Sequence, residues 1–102
     1  MRSAPVLPEL DPLVHEPARL RLLVLLAMVD SADFMFLLRQ ADMSRGNLSV
    51  QMKRLEEAGL VTVAKSVVGG RVRTSYALSS AGLSALSSYR DAMLDLLSAV
   101  PR

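Results

Sequence analysis

The sequence predicts a mainly α domain with one small β-hairpin, in the element order α-α-α-α-β-β-α. Three features say so: apolar residues recurring at helical spacing over most of the chain, a glycine stop at Gly59, and two β-prone runs around Gly69 and Gly70. At 102 residues the chain reads as one domain, long enough to bury roughly 60–70% of the surface its unfolded form would expose. Hydrophobic residues make up 51% and aromatics only 4%, so the core is expected to be built from Leu, Val, Ala and Met.

Residues 1–10 carry Pro5 and Pro8 and are expected to be a flexible N-terminal segment. Asp11 followed by Pro12 resembles an N-cap with proline in the first helical turn, opening a short helix that Pro17 interrupts. A stronger helix over 17–29, with Leu20, Leu23, Val24 and Ala27 on one face and Leu22, Leu25, Leu26 and Met28 on the flanks, is apolar nearly all round and so is expected to be buried. Ser31 or Asp33 can cap the next helix, 34–41, in which Phe34, Leu37 and Leu38 recur at helical spacing. After a turn at 41–43, Ser44 can cap a helix to residue 58; its Leu48, Met52 and Leu55 lie at i, i+4 and i+7 and face the core, and Gly59 supplies a left-handed stop. The β-prone runs 60–65 and 74–78 are joined through Val68, Gly69, Gly70 and Arg71, a hairpin turn signal. Ser79 or Ser80 then starts a last helix to about residue 100, with Leu83, Leu86, Tyr89, Met93, Leu96, Leu97 and Val100 at approximate a/d spacing. That order is a winged helix-turn-helix over residues 11–78, its wing at 65–74, followed by a C-terminal helix, 79–102, packed on the same domain.

The net charge of +2 is unevenly spread. Residues 1–38 hold three cations against five acids, whereas 39–78 hold seven cations (Arg39, Arg45, Lys53, Arg54, Lys65, Arg71, Arg73) against three acids, and the rest balance. A positive block over one contiguous structural unit, rather than in a tail, suits a polyanion. There is no cysteine, which excludes disulfide scaffolds and thiolate metal sites and fits a reducing cytoplasm. The longest apolar run, 22–29, is far short of the roughly 20 residues needed to cross a bilayer, and the first residues lack the pattern of a secretory signal, so the expected location is cytoplasmic, without a membrane partner.

With Leu48, Met52 and Leu55 inward, a hundred degrees per residue places Gly46, Val50, Lys53 and Arg54 outward and Asn47 and Gln51 on the shoulder. These are groups a DNA major groove can meet: Arg and Lys pair with guanine O6 and N7, Asn and Gln with adenine N6 and N7, and Val50 packs on a thymine methyl. Asn47, Val50, Gln51 and Arg54 are the candidate base readers, and Ser44, Arg45, Ser49 and Lys53 the candidate backbone contacts. Gly46 leaves room for a phosphate near the helix start. Alone, such a helix reads more often as an ordinary amphipathic one. The hairpin that follows carries Lys65, Arg71 and Arg73, and an arginine at a Gly-Gly tip suits a minor groove.

These residues resemble a known family. Residues 46–61 (Gly46-Asn47-Leu48-Ser49-Val50-Gln51-Met52-Lys53-Arg54-Leu55-Glu56-Glu57-Ala58-Gly59-Leu60-Val61), Lys65, and residues 70–82 from Gly70-Arg71 through Arg73-Thr74, Tyr76 and Leu78 to Gly82 are similar to the pattern "GNLSxHLxxLEexGxV", "K", "GRxxRTxYxLTxxG" of a small stand-alone winged-helix DNA-binding domain family related to the MarR and ArsR regulators. The resemblance implies a homodimeric, sequence-specific transcriptional regulator of double-stranded DNA. Two departures stand out. Gln51 replaces the usual histidine, and ArsR-like metal sensing finds no ligand set, since cysteine is absent and His15 is alone.

The remaining residues carry less. His15 reads as a cap or surface group, and Met28, Met35, Met52 and Met93 as core gap fillers. No paired carboxylates, nucleophile–base set or phosphate loop point to catalysis, so neither an enzyme nor a cofactor is expected, and no polar cluster identifies a small-molecule effector. The apolar last helix is expected to form a homodimer interface through Leu86, Tyr89, Met93, Leu97 and Val100, beside any packing on the 17–29 helix. The rival reading is a winged helix that docks a protein instead of DNA.

Overall fold

The computed structural model describes residues 6–102, in the order α1 (Pro17–Ala27), β1 (Ala32–Asp33), α2 (Phe34–Ala41), α3 (Arg45–Glu57), β2 (Val61–Val68), β3 (Arg71–Leu78) and α4 (Ser80–Ser98). The fold is a winged helix-turn-helix: α2 and α3 form the helix-turn-helix, and β2 with β3 forms the wing. Of the expected flexible segment 1–10, residues 1–5 lie outside the described residues and 6–10 hold neither helix nor strand.

The expected element order is corrected twice. The short helix after Asp11 is a single turn, in which the Asp11 carbonyl accepts from the Val14 and His15 amides (3.1 and 2.7 Å) and its carboxylate from the Leu13 amide (2.9 Å). Pro17 explains why it goes no further: a residue before proline avoids helical backbone, and Glu16 is extended at φ −148. Glu16 then caps α1, its carboxylate accepting from the Ala18 and Arg19 amides (3.1 and 2.9 Å). The second correction is β1, two residues that pair Ala32 with Tyr76 and Asp33 with Ser75 to give a sheet ordered β1-β3-β2. Two residues cannot display a period-2 pattern, so the strand left no mark in the sequence.

The other caps follow the sequence. Asp33 accepts from the Phe36 amide (2.8 Å), Ser44 from Asn47 (3.1 Å) and Ser79 from Gly82 (2.9 Å). Helix α3 stops as a Schellman motif: Gly59, at φ 75, donates to the Glu56 carbonyl (2.9 Å) and Leu60 to the Leu55 carbonyl (3.0 Å), while Leu55 and Leu60 are both buried. The strands of the wing run longer than expected, up to Val68 opposite Arg71, because Gly69 and Gly70 (φ 58 and 77) close a two-residue turn.

Among the described residues, one core serves every helix and the sheet. Leu22, Leu23 and Leu26 of α1, Leu37 of α2, Leu48, Met52 and Leu55 of α3, and Leu60, Val61 and Tyr89 meet in it, with Val14 from the turn before α1. Helix α1 is not buried all round, as its composition suggested. Val24 is 42% and Met28 74% exposed, because α2, α3 and the sheet cover one face while α4 reaches only part of the other. Met28 and Met35 are therefore surface residues rather than gap fillers; Met52 is in the core and Met93 packs at its edge. Where α4 meets the end of α3, a Cβ at Gly82 would run into the Leu60 carbonyl oxygen. Ser79 completes the joint, donating through Oγ to the Gly59 carbonyl (2.6 Å) and through its amide to that of Leu60 (3.0 Å).

Candidate nucleic-acid interface

Helix α3 buries Leu48, Met52 and Leu55 completely and leaves Ser44, Arg45, Gly46, Asn47, Ser49, Val50, Lys53 and Arg54 exposed. Val50, an apolar side chain 53% exposed between these polar ones, marks the outward face. The amide end of the helix is open: a Cβ at Gly46 would meet nothing within 4 Å. Arg45 is partly held in place, its guanidinium 5.9 Å from the centre of the Phe34 ring and its Nη2 3.7 Å from Met35 Sδ.

The wing joins this face from the side. A cleft of about 560 Å³ is lined by Arg39, Arg45, Arg71 and Arg73, with Phe34 and Val72 along its walls. Four guanidiniums around one opening repel each other unless an anion sits between them. Asp33 answers part of this charge, its Oδ2 lying 3.9 Å from Arg73 Nε in a pair open to solvent on both sides. A second cleft, of about 330 Å³ between α3 and the sheet, brings Ser49, Lys53 and Glu56 to Lys65, Thr74 and Tyr76. Burial there, and secondarily the Glu56 carboxylate, push the Tyr76 phenol above the ordinary tyrosine range. Arg39, counted in the basic block of the sequence, was not placed among its contact residues; its signal was a cation in the last turn of the helix preceding Ser44.

Gln51 is the site residue whose surroundings differ most from expectation. Its Oε1 accepts from Arg19 Nη1 (3.0 Å) and its Nε2 donates to Asn47 Oδ1 (3.0 Å), so it sits half-buried in the seam between α1 and α3. Gln51, expected to read a base, is thus also tied on one side to α1 and on the other to Asn47. Arg19, only 7% exposed, was also missed, although an arginine beside Leu20, Leu22 and Leu23 is a visible anomaly. Its guanidinium also donates to the Leu13 carbonyl (2.6 Å) and the Pro12 carbonyl (3.4 Å) and lies 3.8 Å from Glu16. The Arg19 amide, first of several causes, holds the Glu16 carboxyl below the ordinary carboxylate range, with smaller help from the Ala18 amide and from the Arg19 and Arg54 charges, against the opposing effect of burial.

The expected dimer residues divide. Leu97 (54%) and Val100 (63%) are exposed, and Leu86 and Met93 are half-buried against α1. Tyr89 is corrected: it is 7% exposed inside its own domain, its hydroxyl 3.0 Å from His15 Nδ1, because α4 must send one large side chain inward to dock. Leu83 (55%) and Leu94 (62%) are exposed instead, beside Val24 of α1. Among the described residues no helix is long and apolar enough to cross a membrane, and no three His, Cys, Asp or Glu side chains cluster as metal ligands.

Comparison with known proteins bears on the fold and the family. Residues 18–97 match the family model described as a winged helix DNA-binding domain. An uncharacterized protein of Methanocaldococcus jannaschii is 35% identical over 78 residues, covering 76% of this chain and 85% of its own. A transcriptional regulator homologue from Pyrococcus horikoshii superposes with a TM-score of 0.77 at 24% identity, over 84% of this chain and 85% of that one. The solved structure of a possible transcriptional regulator for arsenical resistance does so with a TM-score of 0.65 at 30% identity, over 88% and 94%. Regulators of the ArsR and MarR families share the fold.

Proposed function

Since the chain belongs to the winged helix DNA-binding domain family, we propose that it is a sequence-specific transcriptional regulator that grips duplex DNA as a homodimer. Helix α3 enters the major groove, where Asn47, Val50 and Arg54 meet base edges and Ser44, Arg45, Ser49 and Lys53 meet phosphates. The wing lays Lys65, Arg71 and Arg73 along the backbone or minor groove. The observation that carries this reading is the convergence of Arg39, Arg45, Arg71 and Arg73 from three elements on one cleft beside the exposed face of α3. No reaction is assigned to it, and the role fits a cytoplasmic location.

The dimer reading rests on apolar surface left by the monomer. Leu83, Leu94 and Leu97 of α4, Val100 just beyond it and Val24 of α1 are each more than two-fifths exposed, and a second copy would cover them. A two-fold axis beside α4 presents two α3 helices to one DNA face, with half-sites about 10 bp apart or a multiple. If the dimer neutralises about six phosphates, log K falls with log salt at a slope near −5. Measuring binding to genomic fragments across a salt series tests this, with Arg71→Ala expected to weaken all sequences alike. Salt-independent affinity refutes it. The rival, docking of a protein by the wing, is favoured by Val67 (73%), Val68 (49%) and Val72 (69%) at the wing end, and predicts no retained DNA at any salt.

A further inference from the structure

Arg19, Gln51 and Asn47 form a chain of hydrogen bonds from the base of α1 to the exposed face of α3. Its direction is chemically forced. A guanidinium has donors and no acceptor, so the Gln51 atom 3.0 Å from Arg19 must be the carbonyl oxygen. That leaves the Gln51 amide nitrogen facing Asn47, and the Asn47 atom it meets at 3.0 Å must be an oxygen in turn. Arg19 cannot lose its charge, and it is fixed by the carbonyls of Leu13 and Pro12, so neither amide can flip without stranding a donor against a donor.

We propose that Arg19 is a positioning residue for base recognition: through Gln51 it turns the Asn47 carboxamide so that its NH₂ group is offered to the major groove. This rests on the DNA-binding reading and gives it a base. An asparagine free to rotate pairs with adenine, using its oxygen for N6 and its nitrogen for N7. Here one lone pair of the oxygen is already engaged by Gln51, and the unengaged donors are the two Nδ2 protons. Two donors match the two acceptors of guanine, O6 and N7, whereas at adenine one of them faces the N6 amino group. The base opposite Asn47 is therefore guanine, a preference that neither residue 47 nor residue 51 sets alone.

Selection from a randomised duplex pool by the full chain tests this, with wild type beside Gln51→Met, Gln51→Glu and Arg19→Met. Wild type is expected to favour guanine over adenine at one position by about tenfold. Gln51→Met breaks the chain but keeps the Arg19 bonds to Leu13 and Pro12, and the freed asparagine should shift the preference to adenine. Gln51→Glu presents an acceptor to Asn47 as well as to Arg19; the asparagine then turns its oxygen outward and the preference reverses to a base with an amino group in the groove, cytosine or adenine. Arg19→Met should behave as Gln51→Met where it folds, and the two Gln51 variants decide the matter where it does not. A pool retained with the same base and ratio in wild type and both Gln51 variants overturns the proposal alone. A wild type that retains nothing overturns the DNA-binding reading, and the proposal with it.

Discussion

Gly82→Ala sets two well-measured effects against each other at one atom. In an exposed helix interior the change from Gly to Ala is worth about 1 kcal/mol in favour of the helix. At position 82 the new Cβ would overlap the Leu60 carbonyl oxygen and crowd Leu78 Cδ1, which is 2.7 Å away. The side chain of Leu78 can rotate, but the Leu60 backbone cannot: its amide ends the Schellman motif of α3 and its carbonyl accepts from Ser79. Relief requires α4 to move off, at about 1–3 kcal/mol for overpacking and about 1 kcal/mol for each of the two Ser79 bonds to Gly59 and Leu60 that stretch. The net expectation is a loss of about 2–4 kcal/mol, which for a chain of this size lowers the Tm by about 10–30 °C. Gly46→Ala is the matched control, because nothing lies within 4 Å of its Cβ; it should melt at or slightly above wild type while binding DNA more weakly. Both are read by far-UV circular dichroism on heating. A Gly82→Ala protein as stable as wild type would refute the close-approach reasoning.

Glu16→Ala removes the cap of α1 and should cost about 1 kcal/mol in urea titrations at neutral pH. Because the folded carboxyl titrates below its unfolded value, its contribution is complete above the ordinary carboxylate range and is lost as pH falls through the lowered folded value; Glu16→Gln should flatten that acid limb. Asp33→Ala should cost about 1 kcal/mol for the cap on α2, with little added from the exposed Arg73 pair, so its loss of stability should hardly depend on salt. In an ultraviolet titration Tyr76 should ionise above the ordinary tyrosine range, and Glu56→Gln should bring it only part of the way down, since burial is the larger cause.

What could be read from the sequence was local. Ser44, Leu48, Met52, Leu55 and Gly59 lie within one helix and its ends, and cap chemistry and a 3.6 period place them without knowing what lies opposite. Gly69 and Gly70 are equally local, since a two-residue turn needs positive φ whatever surrounds it. The misses share the opposite property. Whether Tyr89 turns inward depends on His15 being carried to it by a turn 74 residues earlier, and Gln51 is held at the seam with α1 by an arginine 32 residues away. The exposed side of α1 could not be distinguished from its buried side because both are apolar; only the placement of α4 separates them. Arg39 was counted in the basic block but not placed at the cleft, because its partners there come from α3 and β3, which periodicity cannot bring together.

The relation between α3 and the wing is set by very few atoms. Asp33 divides its carboxylate, one oxygen capping α2 and the other approaching Arg73, while its backbone pairs with Ser75 of β3. The root of the wing is thereby tied to the first turn of the helix-turn-helix, so Arg71 and Arg45 line one cleft rather than moving independently. Ser79 does the same at the other end of the wing, since its hydroxyl links the Gly59 carbonyl, just past α3, to the Gly82 amide, in the first turn of α4. In the proposed dimer the two-fold axis runs beside α4 while the groove is read by α3. The angle between these helices, and with it the spacing of the two half-sites, is then fixed by the Gly59–Ser79–Gly82 joint and by the missing side chain that lets α4 sit against Leu60.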